Sequence, residues 1–210
     1  LTNPGHYVDL EVAHGVSRIA TAESSAPVAS TVIARADRAD LERLSDLKGK
    51  RLAIVGTTAF GGFQVAWREL AALGIDPARD LTLVSKGLPM TRVIDAVLGS
   101  EVDAGVVRGC LIEQRQAEGA LAPGALRVLS QMPQGPAACR ISSRIYPDWP
   151  FAKARHTPAA LSKKVATALL SSEPPPGVAG WTVPVDYQPV HDLFRELMIG
   201  PYAALRQVSL

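Results

Sequence analysis

Lys50-Arg51-Leu52-Ala53-Ile54-Val55-Gly56-Thr57-Thr58-Ala59-Phe60-Gly61-Gly62-Phe63-Gln64 passes from a short apolar run, through glycine and hydroxyl residues, into a helical pattern. Leu52 to Val55 has the length of a buried strand. Phe63, Ala66, Trp67, Leu70 and Leu73 then recur at helical spacing until Gly74 ends the run. The turn between them is a strand-to-helix corner. Such a corner directs backbone N–H groups and the positive end of a helix dipole at one spot, with the hydroxyls of Thr57 and Thr58 beside it. That chemistry suits an anion, and a threonine that only caps the helix is the alternative. No Gly-Lys-Ser/Thr ending follows, so the corner is not a nucleotide P-loop.

Downstream, Leu81 to Val84 reads as a strand. Thr91 to Leu98 reads as a helix with Val93, Ile94 and Val97 on one face, and Val102 to Arg108 as the next strand. This alternation predicts a parallel sheet covered by helices, an α/β fold. Ligands of such sheets sit beyond the carboxyl ends of the strands, where Thr57, Thr58, Lys86 and Arg108 all fall. A guanidinium at a strand end can fork onto two oxygens of an anion. The other reading of Arg108 is a salt bridge to Asp103 or Glu113 that props the sheet edge.

Towards the N-terminus, Asn3-Pro4-Gly5 sets a turn that aims His6 and Tyr7, and Val8 to Ala13 continues as a short helix. Ser17 to Ala22 and Ala29 to Arg35 read as strands, and Leu41 to Leu47 as a short helical turn. Beyond Arg108 follow a helix over Leu111 to Glu118, a strand over Leu126 to Ser130, a loop over Met132 to Ala138 and a strand over Cys139 to Ile145. Tyr146 to Phe151 is an aromatic cluster between prolines, of the kind that packs a core or a hinge. Helices after Thr157-Pro158 and over Pro189 to Leu197 complete the pattern.

With 210 residues, 47% apolar and 20% charged, the chain suits one medium domain or two small lobes. A net charge of +2 with scattered basic residues argues against nucleic acid and membrane surfaces, so any anion is held locally. There is no apolar run of membrane-spanning length. The opening at Leu1 reads as a segment of something longer. The dispersed histidines give no metal-ligand spacing, and no metal or other cofactor is expected. Cys110 and Cys139 leave three readings: buried thiols, a disulfide or a reactive pair.

Six segments stand in order along the chain: Thr2 to Tyr7, Leu47 to Arg51, Phe60 to Gln64, Val102 to Arg108, Tyr146 to Ala152 and Gly180 to Pro184. Together they resemble the phosphate/phosphonate type of periplasmic solute-binding domain, in the version that serves two-component histidine kinases as a sensor, the tetrathionate sensors among them. The resemblance implies a periplasmic-binding-protein type II fold, a two-lobed Venus flytrap with the N-terminal part of the first lobe missing. Residues 1–40 and 139–210 would form that first lobe and 41–138 the second. It implies a periplasmic domain that binds a small anion, a sulfur or phosphorus oxyanion, in an inter-lobe cleft without doing chemistry. By matching position it implies Tyr7, Thr57, Thr58, Arg108 and Cys110 as ligand-binding residues. Leu88-Pro89-Met90 stands where phosphonate binders place a histidine. The implied partners are the transmembrane helix and kinase domains of the parent chain and a possible homodimer. A soluble solute-binding protein of an ABC transporter is the alternative, and a thiol enzyme using Cys110 a third reading.

Overall fold

The computed structural model describes residues 1–132 and 139–207. The chain divides into two units, Leu1–Ser25 with Tyr146–Leu210, and Ala26–Ile145. In chain order the described helices and strands are α1 (Pro4–His14), β1 (Ser17–Glu23), β2 (Ser30–Arg35), β3 (Arg51–Ile54), α2 (Val65–Ala72), α3 (Pro77–Asp80), β4 (Thr82–Ser85), α4 (Thr91–Leu98), β5 (Ala104–Arg108), α5 (Leu111–Ala117), β6 (Leu126–Val128), β7 (Trp149–Lys153), α6 (Ala159–Ser171), β8 (Gly180–Thr182) and α7 (Gln188–Leu197). Of the loop expected over Met132 to Ala138, residues 133–138 lie outside the described residues.

The first unit holds an antiparallel sheet in the order β7-β1-β8. Helix α1 starts at Pro4, within the stretch Leu1 to Tyr7 that the sequence predicts as a turn. The Asn3 side chain accepts from the N–H of His6, and Pro4 occupies the first turn, where a missing donor costs nothing. Gly15, at φ 64°, closes the helix. Tyr7 and Val8 are thereby turned inward, and Tyr187, Val190, Leu193 and Phe194 of the α7 segment are buried in the same unit.

The second unit is a five-stranded sheet in the order β4-β3-β5-β2-β6. β3 pairs in parallel with both β4 and β5, while β2 runs antiparallel to β5 and β6. The expected parallel sheet is therefore mixed, because the chain enters it through β2 before the strand-helix alternation begins. Side-chain alternation sorts the strands onto two cores. Leu52, Ile54, Val32 and Val106 join Phe63 and Leu70 on one face, and Ala53, Ile33 and Val107 join Val93, Val97 and Ile112 on the other.

The expected lobe boundaries shift accordingly. Residues 26–40 and 139–145, which the resemblance assigns to the first lobe, belong to the second unit. The strand expected over Cys139 to Ile145 is irregular backbone instead. It runs beside the end of β2 that β6 does not reach, and serine hydroxyls replace the ladder there. Ser30 N–H donates to Ser143 Oγ and Val32 N–H to Ser142 Oγ, both at 2.9 Å, while Ser142 N–H donates to Ser30 O at 2.9 Å. Among the described residues no helix is long and apolar enough to cross a membrane.

Candidate functional site

The carboxyl ends of β4, β3 and β5 lie side by side in the second unit. After β3 the chain turns at Gly56, whose carbonyl accepts from Ala59 N–H at 3.1 Å. It then makes one π-helical turn, Phe60–Gln64, continuous with α2. Thr57 and Thr58 are exposed between Gly56 and Ala59, ahead of the π-helical turn.

Two glycines let the helix start approach its neighbours. A Cβ on Gly62 would lie 2.9 Å from Val55 Cγ2 and 3.3 Å from Met90 Cε, and one on Gly61 would lie 3.8 Å from Arg108 Cβ. Ser30 Oγ, on the strand paired with Arg108, donates to Gly61 O at 2.8 Å and pins the turn to the sheet. The structure thus brings the helix start and Arg108 together within one unit.

Arg108 is half-buried, and its guanidinium meets neutral acceptors. Nη1 donates to Gly109 O at 3.1 Å and Nη2 to Gln114 Oε1 at 2.5 Å. Burial pushes its pKa below the ordinary arginine value, a tendency that the charge of Glu118 opposes. Neither expected salt-bridge partner is engaged with it: Asp103 pairs with Arg38 and Arg51, and Glu113 with Arg140. A cation desolvated without a paired carboxylate is electrostatically suited to an incoming anion. Lys86, on the same edge, is already paired with Glu101 at 2.5 Å.

Two residues of this site have no role in the sequence reading. Arg108 N–H donates to Met90 Sδ at 3.1 Å, so the thioether lies over the strand end and against Gly62. The segment Leu88 to Met90 stands out in the sequence only as a departure from a histidine. Gln114 is on the exposed side of α5, and a strand-end argine alone does not foretell that a glutamine will meet it.

The structure places Tyr7 and Cys110 differently from the ligand set. Tyr7 is 0% exposed in the first unit, with its hydroxyl donating to Glu11 Oε1 at 2.5 Å and its ring edge-on to Tyr187 at 5.2 Å. Burial and the Glu11 carboxylate push its pKa well above the tyrosine value, so the hydroxyl is a committed donor inside a core. Arg18 lies over both rings, 5.4 Å from Tyr7 and 5.0 Å from Tyr187. Cys110, at φ 63°, forms a disulfide with Cys139, with their Cα atoms 4.9 Å apart. Of the three cysteine readings the structure has the disulfide, which leaves no thiol for nucleophilic attack.

The first unit also contains a cavity of about 360 Å³ lined by Thr21, Glu23, Tyr146, Asp148, Thr182 and Asp186, with Pro147 and Val185. Its carboxylates repel an anion, and Ser24 Oγ already donates to Asp148 at 2.7 Å. Among the described residues no cluster of His, Cys, Asp and Glu has the form of a metal site.

The tetrathionate sensor histidine kinase of Salmonella typhimurium is 28% identical over 208 residues, which cover 96% of this chain. The chain spans about a third, 35%, of the length of that relative. Among solved structures, the XAC2383 protein of Xanthomonas citri bound to ATP superposes with a TM-score of 0.73 at 17% identity, covering 99% of this chain and 78% of that one. PhnD1 of Prochlorococcus marinus, in complex with methylphosphonate, gives a TM-score of 0.64 at 13% identity, covering 87% and 71%. At these identities the structural likeness speaks for the fold, that of the type II periplasmic binding proteins. The periplasmic phosphonate substrate-binding proteins of ABC transporters match residues 1–185 as a family, and the chain belongs to that ligand-binding, extracytoplasmic family.

Proposed function

We propose that this chain is the extracytoplasmic sensing domain of a two-component sensor histidine kinase and that it binds a small sulfur or phosphorus oxyanion. The observation that carries the anion is Arg108: a half-buried guanidinium on neutral partners, at a strand end packed against Gly61 of the helix start, with Thr57 and Thr58 exposed on the turn just before that helix. Helix-start amides and the dipole favour negative charge at that end, and the arginine adds a two-pronged donor. The sensor role is supported by likeness over 96% of the chain to a kinase that senses tetrathionate. In this reading the parent chain continues into a transmembrane helix and kinase domains and works as a homodimer.

A second reading, a soluble solute-binding protein that hands its ligand to an ABC transporter, is supported by the family description itself. The parent gene separates the two, since only the sensor requires a transmembrane segment followed by kinase sequence.

The binding reading is tested by thermal-shift screening of the complete extracytoplasmic region against sulfate, thiosulfate, tetrathionate, phosphate, phosphite and methylphosphonate. Calorimetry of the strongest anion follows. Thr58→Ala and Arg108→Ala are each expected to weaken binding by roughly 1.5 to 3 kcal/mol, the range for a lost charge-assisted hydrogen bond. Affinity unchanged in both variants overturns this placement of the site.

A further inference from the structure

We infer that Gln114 is a positioning residue that holds the Arg108 guanidinium while leaving its charge unneutralised. The inference rests on the anion-binding reading above and concerns what makes that arginine available. Gln114 Oε1 accepts from Arg108 Nη2 at 2.5 Å, and its Nε2 donates to Glu118 Oε1 at 3.0 Å. The amide therefore stands between a cation and a carboxylate, with its dipole aligned to both. Glu118 is in turn paired through Oε2 with Arg115 Nη1 at 2.7 Å, so its negative charge is met from its own helix. One hydrogen-bond link keeps it from Arg108.

A carboxylate in place of that amide would reach the same Nη2 and form an internal ion pair. An incoming anion would then have to break a charge-assisted contact to gain its own. Alanine would remove both the anchor and the competitor, leaving a flexible but uncompensated cation. Glutamine is the side chain of this length that directs the guanidinium without cancelling it. Because it carries no charge, its hold on Arg108 does not change with pH. The charged groups around it are Arg108, Glu118 and Arg115.

The test compares Gln114→Glu, Gln114→Ala and Arg108→Ala with the unmodified protein by calorimetry, with sulfate and thiosulfate as probes because both keep their charge in mildly acidic solution. Circular dichroism and urea denaturation check folding of each variant. Gln114→Glu is expected to weaken binding at neutral pH by a factor of about ten or more, and Gln114→Ala by about threefold or less. Binding to Gln114→Glu is expected to recover only as the pH falls well below about 4, because pairing with Arg108 holds the new carboxyl under its free value and only its protonated form is an amide-like partner. Equal losses in the two Gln114 variants, or no recovery on acidification, overturn the inference while leaving the Arg108 site standing. If neither probe binds the unmodified protein, or if Arg108→Ala binds as well as it does, the anion-binding reading falls and the inference with it.

Discussion

Gly62 shows how closely the residues of the candidate site are fitted. Its backbone lies where an added methyl would come within 2.9 Å of Val55 Cγ2, 3.1 Å of Val55 Cβ and 3.3 Å of Met90 Cε. Val55 is β-branched and stiff, so it cannot turn aside. Gly62→Ala is therefore expected to cost about 1–3 kcal/mol of stability by overpacking, measured by urea denaturation, whereas a loss under about 0.5 kcal/mol would mean that Met90 simply moves away. The place of Arg108 at the end of β5 is legible in the sequence, because an apolar run that stops at a charged residue marks a strand end. Its company is not. Met90 and Gln114 reach it from elements whose faces are fixed only when the sheet assembles. Tyr7 is opaque for the opposite reason: a polar-tipped aromatic after a turn looks ligand-facing until Glu11, one helical turn on, is seen to take its hydroxyl.

Among the elements, the strand-helix alternation from β3 to β5 is the most legible part, since its period and glycine stops are local signals. The irregular segment over residues 139–145 is the least. Its apolar and serine-rich pattern reads as a strand, yet the serine side chains take the hydrogen bonds that a strand would take with its backbone. That segment is further fixed to α5 by the Cys110–Cys139 disulfide and by Arg140, whose Nε donates to Glu113 Oε1 at 2.8 Å. Closing a loop across a sequence separation of 29 restricts the unfolded chain by about 3–4 kcal/mol in the chain-entropy description. Cys110→Ser with Cys139→Ser is expected to lower urea stability by about that amount at neutral pH. A loss below about 1 kcal/mol would show that the crosslink adds little to the unfolded-state restriction expected from its span.

At the scale of the whole molecule, the division into two units is legible only through family likeness, because no linker composition marks Ser25 or Ile145 as a boundary. The two units nonetheless differ in how they carry charge. In the second, burial tends to raise the Asp103 carboxyl, but the Arg51 N–H and the Arg38 and Arg51 side chains overcome it and hold the group down at about 2. Arg79 and the Asp76 N–H likewise hold Asp80 at about 2, and backbone N–H groups of Arg43 and Glu42 lower Asp46. In the first unit burial pushes Asp9 upward, with His6 opposing it. A lowered carboxyl contributes stability above its unfolded value of about 4, and that contribution is lost as the pH falls through the folded value. A raised carboxyl has the reverse sign, and acid relieves the cost of its ionised form. Acid is therefore expected to weaken the second unit more than the first. Trp67 belongs to the second unit, and Trp149 and Trp181 to the first, so fluorescence of Trp149→Phe/Trp181→Phe and of Trp67→Phe reports each unit separately. Between about pH 5 and pH 2.5 the urea midpoint seen through Trp67 should fall further than that seen through Trp149 and Trp181. Midpoints that differ at neutral pH yet fall together in acid would mean that carboxylates of the first unit lose as much on protonation as Asp103, Asp80 and Asp46 do, against the direction of the Asp9 shift, whereas midpoints that coincide at every pH would mean that the two units unfold as one.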